Sequence, residues 1–140
     1  MAAWLAVFGL TNAGSGLSHM LGHQIGPRWN VAHGVTSAIM LPHAMRFMAG
    51  AAPERFVPIA RALRIPFDPG DPTAAALACA ERIAAFIAPF HLPTRLRDVS
   101  VPDQDIGSIS GFVSAVLADA HVLERPITRA DLDALLTAAY

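Results

Sequence analysis

Apolar and polar positions along this chain recur at helical rather than strand spacing. No segment sustains alternation at period two, and proline and glycine cut the sequence into pieces of helical length. The pattern predicts an all-α helical bundle. A first helix is expected from near Ala2 to about Gly26, apolar on most sides like the central helix of a bundle, and stopping before Pro27. A second spans about Gly34 to Ala49, with Val35, Ile39 and Arg46 along one side and a bend at Pro42. A third opens at Pro53-Glu54, carries Phe56, Ile59, Ala60 and Leu63, and ends at Ile65-Pro66.

Asp71-Pro72 reads as N-cap and first-turn proline of a fourth helix, whose Leu77, Ala80, Ile83 or Ala84 and Ile87 form the expected buried stripe. A fifth begins near Pro102-Asp103 and buries Ile106, Ile109, Val113, Val116 and Leu117. The last is announced by Thr128-Arg-Ala-Asp131, a capping box with Asp in place of Glu, followed by Leu132, Leu135 and Leu136.

Composition narrows the class. The 140 residues are 54% hydrophobic and 15% charged, with ten arginines, no lysine and eleven acids, so a single domain over 1–140 is expected and the apolar content argues against disorder. The arginines are scattered and the net charge is −1, which leaves no basic stripe for a nucleic-acid backbone. Cys79 stands alone in an Ala-rich run and reads as a small buried hydrophobe. The apolar N-terminus lacks the charge of a signal peptide, since the first basic side chain is Arg28. It is also too short to cross a bilayer, so it reads as a buried helix.

The chemical signal is histidine. Of six, at 19, 23, 33, 43, 91 and 121, four fall within 25 residues. His19 and His23 are four apart on one helix face, a spacing that holds one metal ion or places two imidazoles in one pocket. His33 follows the Pro27 turn, where a third nitrogen can approach the same point. A zincin reading fails, because Met20 stands where the general-base Glu is required. His43, His91 and His121, taken singly, read as satisfied core residues. Three imidazoles in an apolar neighbourhood each need a partner, and one cation serves them together.

Three runs carry a family resemblance: Ser18-His-Met-Leu-Gly-His-Gln-Ile-Gly26, Asn30-Val-Ala-His-Gly34 and Met40-Leu-Pro-His-Ala-Met-Arg-Phe47. They resemble the signature of the iron-containing (group III) alcohol dehydrogenases, relatives of maleylacetate reductase, glycerol dehydrogenase and dehydroquinate synthase. Leu92–Val99 and Pro126–Asp131 are similar to the family's late segments, so the likeness covers nearly the whole chain. It implies an enzyme with an α/β dinucleotide-binding domain followed by an all-helical domain, of which this chain resembles the second, with the metal-ligand region at 12–47.

The resemblance further implies a divalent ion, Fe²⁺ or Zn²⁺, held by one Asp and three His, with His19 and His33 matching the last two ligands. His23 matches a catalytic position near the nicotinamide and substrate. Ala32 replaces a frequent Pro before the second ligand. The Asp, the first His and the Gly-rich turn for NAD or NADP are expected to be absent from this chain, since Asn12-Ala-Gly-Ser-Gly16 has no preceding strand and reads as helix-packing glycines. The implied whole enzyme is cytoplasmic, moves hydride between a small alcohol and its aldehyde or ketone, and binds neither nucleic acid nor membrane.

The 140 residues alone are then expected to give no turnover, to bind metal weakly, and to self-associate through an apolar or His-bearing face left for the missing N-terminal domain. Gly34 and the Met40–Phe47 run look more like the alcohol dehydrogenase branch than like the maleylacetate reductases. A non-catalytic helical interaction module is the alternative from another class, and it predicts a polar surface on every outer helix face.

Overall fold

A computed structural model describes residues 16–117 and 126–140, and among these there is helix and no strand. Helix α1 spans Leu17–Trp29, α2 His33–Ala51, α3 Val57–Ala62, α4 Pro72–Ile87, α5 Ile106–Leu117 and α6 Arg129–Ala138. Short 3₁₀ turns at Pro53–Phe56, Ala88–Phe90, Leu96–Val99 and Asp103–Asp105 join them.

Two apolar clusters organise the helices. One gathers Leu21 and Ile25 of α1, Ile39 and Met40 of α2, Ile109 and Val113 of α5, and Leu132 and Leu136 of α6. The other gathers Ala49 at the far end of α2, Phe56 and Ala60 around α3, and Ala75, Ala76 and Cys79 of α4. The helix common to both is therefore α2, not the first helix, whose outer side exposes His23, Pro27 and Arg28. What precedes Gly16, including Ala2 and Gly14, lies outside the described residues, and so does His121.

Capping follows the sequence closely. Asp71 accepts the Ala74 backbone N–H at 3.0 Å and Pro72 fills the first turn of α4. Thr128 and Asp131 bond each other's backbone N–H groups, at 3.2 and 2.9 Å, closing the expected box at α6.

Several expectations shift. Pro27 lies inside α1 rather than beyond it, two residues before its end, where the missing N–H is the one that would have bonded the carbonyl of the exposed His23. Asn30, in the left-handed region at φ 52°, ends that helix while Val31 N–H bonds Gly26 at 2.9 Å. The third helix begins as the Pro53–Phe56 3₁₀ turn and its α part stops at Ala62. There Arg64 takes the left-handed position, and Ile65 N–H bonds the Ala60 carbonyl at 2.9 Å.

The α4 stripe is displaced. Leu77 is exposed and Ile83, Ala84 and Ile87 only partly covered, whereas Ala75, Ala76, Cys79 and Ala80 are buried, because this helix packs through its smallest side chains. Val116 is likewise exposed on α5, and the buried fifth position there is taken by Ser110. Its hydroxyl is satisfied by the Gly107 carbonyl and the Asp133 carboxylate.

The caps give a stability test. Asp71→Ala and Thr128→Ala are each expected to cost about 1 kcal/mol, a Tm drop of roughly 3–5 °C, and to add in the double variant because the sites share no partner. Thermal unfolding followed by circular dichroism checks this, and unchanged Tm values would refute the capping assignment.

Candidate metal centre

The site is built at the turn between α1 and α2. Only Asn30, Val31 and Ala32 separate the two helices, so α2 returns directly alongside α1. The helices approach closely because Gly22 and Gly26 face α2. A Cβ on Gly22 would lie 3.0 Å from Thr36 Oγ1, and one on Gly26 would lie 3.1 Å from the Val31 carbonyl oxygen. Thr36 is fully buried in this contact and donates its hydroxyl to the His33 carbonyl at 2.9 Å, tying the first turn of α2 together.

The consequence is that His19, His23 and His33 meet. His19 and His23 project from one face of α1, and His33 opens α2 opposite them. Ring centroids stand 4.4 Å apart for His19 and His23, 4.9 Å for His19 and His33, and 5.3 Å for His23 and His33. One ring nitrogen from each lies within 4.8 Å of the others. The Nε2 atoms of His19 and His23 are 2.7 Å apart, a hydrogen bond in which one ring donates and the other accepts. His19 is half-buried while His23 and His33 are exposed, so the cluster opens to solvent on one side.

Burial first, and then the charges of His23 and His33, push His19 below the ordinary histidine value. That direction agrees with the short contact, because two protonated rings have no acceptor between them. The shift favours the neutral ring, the form in which imidazole ligates a metal.

The donor set suits Fe²⁺ or Zn²⁺, both of which accept imidazole nitrogen. Two nitrogens on one tetrahedral ion at about 2.1 Å stand about 3.4 Å apart, so a set within 4.8 Å has to draw in by an ångström or so at its widest pair, within reach of χ rotations.

The other described histidines are elsewhere. His43 is half-buried on the other side of α2, where burial and then Arg46 lower its pKa. His91 is exposed in the left-handed region at φ 53° and is not a core residue. The glycines that pack helices at the site are Gly22 and Gly26. Gly16 faces open space instead and gives its carbonyl to Met20 N–H. Sequence reasoning missed this pair, although their four-residue spacing in Leu21–Gly26 is the signal for it. Nor does spacing reveal Arg28, which bonds Ser108 Oγ at 3.5 Å and lies over the Phe112 ring at 5.7 Å, linking α1 to α5.

An all-helical unit with an imidazole cluster on a tight helix hairpin is a recognisable class, and comparison with known proteins identifies it. The model of the Fe-containing alcohol dehydrogenase family, C-terminal, matches residues 1–140. Lactaldehyde reductase of Escherichia coli is 34% identical over 110 residues, covering 79% of this chain and 29% of the relative. The 1,3-propanediol dehydrogenase of Citrobacter freundii is 35% identical over 125 residues, covering 89% and 32%. Maleylacetate reductase of Pseudomonas knackmussii is 32% identical over 138 residues, covering 99% and 35%. An alcohol dehydrogenase from Oenococcus oeni superposes with a TM-score of 0.84 at 26% identity, over 97% of this chain and 35% of that one. The chain belongs to the iron-containing alcohol dehydrogenase family and corresponds to its C-terminal helical part. It spans about a third of the length of the curated relatives it matches. Their identities lie too close together to separate the alcohol dehydrogenase and maleylacetate reductase branches.

The lowered His19 and His43 values set a pH dependence. The unfolded chain takes up these protons near pH 6.5 while the folded chain resists them, so stability is full above that value and is lost as pH falls below it. The Tm is expected to fall between about pH 7.5 and about pH 5, with a shallower slope in His19→Gln. A flat or rising Tm over that range would contradict the burial and charge assigned to His19.

Proposed function

We propose that this chain is the helical, metal-binding portion of a metal-dependent NAD(P) alcohol dehydrogenase, and that the 140 residues by themselves do not turn over. The observation that carries this is the convergence of His19, His23 and His33 at the α1–α2 turn, on a chain whose family is defined by iron-containing alcohol dehydrogenases. His19 and His33, one from each helix, are the metal ligands, each offering a ring nitrogen to the cluster.

When bound, an Fe²⁺ or Zn²⁺ ion would supply Lewis acidity toward an alcohol or carbonyl oxygen, with hydride exchange belonging to NAD or NADP held by the rest of a complete enzyme. His23 acts through its ring nitrogens. Exposed and hydrogen-bonded to His19, it takes or returns the hydroxyl proton and positions the nicotinamide edge. The α1–α2 turn holds these rings in register, because Gly22 and Gly26 admit no side chain between the helices.

The surface also favours an enzyme part over a free-standing interaction module. Phe86 is 66% and Phe90 60% exposed, their rings in contact at 5.5 Å, and Leu77 and Leu92 are exposed in the same part of the chain. Such an apolar face suits docking against further protein, either an N-terminal domain or a second copy, and departs from the uniformly polar surface a solvated module would carry. The run Pro72–Phe90 is long and apolar enough to span a bilayer by length and composition. It carries Glu81 and Arg82 near its middle, and Glu81 pairs with Arg46 of α2 at 2.8 Å, which suits a helix packed on protein. We place the whole enzyme in the cytoplasm, acting on a small alcohol, aldehyde or ketone.

Two outcomes test the reading. Anaerobic Fe²⁺ or Zn²⁺ titration of the 140-residue chain is expected to give one weak site, with Kd near or above about 10 μM, because two imidazoles without a carboxylate supply little of the charge that holds a divalent ion. His33→Ala should weaken it further; nanomolar binding, or binding indifferent to that substitution, would contradict the ligand assignment. The same chain mixed with Fe²⁺, NAD(H) or NADP(H) and small alcohols is expected to show no absorbance change at the nicotinamide band. A metal-dependent rate would overturn the claim of inactivity.

A further inference from the structure

On the opposite side of α2 from the imidazoles lies a cleft of about 570 Å³, within the usual size of a small-ligand pocket. Its floor is apolar, formed by Ile39 and Pro42 of α2 and Ile87 of α4. Its charged lining is cationic, Arg46, Arg95 and Arg97, with the His43 ring, Thr94, Thr137 and Tyr140 beside them. None of the side chains lining it is a carboxylate.

The charges are unevenly neutralised. Glu81 is committed to Arg46 at 2.8 Å. The nearest acid in sequence to the other two, Asp98, turns back on its own loop, where its Oδ2 accepts the Thr94 and Arg95 backbone N–H groups at 3.3 and 3.1 Å. Among the described residues neither Arg95 nor Arg97 has a carboxylate within 4 Å, and Arg97 lies against the Tyr140 ring at 5.9 Å. Among the described residues, two exposed guanidiniums thus stand without an acid partner beside an apolar floor.

We propose that this cleft binds a phosphate monoester, its dianion held by Arg95 and Arg97 and its apolar body laid on Ile39, Pro42 and Ile87. Two forks of N–H donors match the three terminal oxygens of a phosphate, and the pair of positive charges matches the two negative ones. The hydroxyls of Thr94 and Tyr140 add donors, and His43 adds a neutral ring, since burial and Arg46 keep it below its ordinary value. The site is remote from the imidazole cluster: His43 stands ten residues beyond His33 along α2, about 15 Å by helical rise. Ligand here and chemistry at the cluster are therefore separable.

Calorimetric titration of the 140-residue protein with phenyl phosphate, benzoate and phenol at low ionic strength tests this. Phenyl phosphate is expected to bind saturably at one equivalent, more tightly than benzoate, while phenol does not saturate. Arg95→Gln and Arg97→Gln, both on exposed side chains, should each weaken phenyl phosphate by roughly tenfold without changing the far-ultraviolet dichroism. Arg61→Gln, an equal charge loss on α3, should leave binding unchanged. The proposal is overturned if phenyl phosphate does not saturate, if benzoate binds as tightly, or if Arg61→Gln weakens binding as much as the cleft substitutions do.

Discussion

The closeness of α1 and α2 is the constraint from which the site follows. Gly22 and Gly26 stand where a single added carbon would press Thr36 Oγ1 or the Val31 carbonyl, so any other residue at either position has to shift its neighbours. The left-handed Asn30 makes the turn short enough for α2 to begin within reach of α1's histidines. Neither feature touches a metal or a substrate. Together they decide whether three imidazoles form one cluster or stand apart on the surface of two helices.

That arrangement gives α2 two duties. Its first half packs with α1, α5 and α6, and its last turns pack with α3 and α4, so the helix joins both apolar clusters and carries the imidazole site at one end. Anything that shifted α2 would move His33 and the apolar floor of the arginine-lined cleft together. Pro42 sits buried between these two regions and is part of that floor. The cluster itself is balanced by proton sharing: the 2.7 Å contact between His19 and His23 needs one donor and one acceptor, and the neutral form it favours is the one a metal requires.

Much of the fold was legible where local chemistry decides it. Asp71 and Thr128 are read from short motifs because a cap is made by residues three apart, whatever surrounds them. The stripe on α4 was not, because in the run Ala74–Ala80 nearly every position is apolar and only tertiary packing selects Ala75, Ala76, Cys79 and Ala80 over Leu77. His19, His23 and His33 could be brought together from spacing and a turn. Their separate roles came from resemblance, since the geometry gathers all three. The cleft was invisible from sequence, as it assembles residues from positions 38 to 140 that only the folded chain makes neighbours.

The central claim is that one helix hairpin brings His19 and His33 to a single ion. Long-range nitrogen–proton spectra of the imidazole rings, recorded during addition of Zn²⁺, report each ring separately. The account predicts that ring-nitrogen shifts of His19 and His33 change together and are complete at one equivalent bound, while those of His43 and His91 stay fixed. Changes spread evenly over all the histidines, or confined to one of the pair, would contradict it.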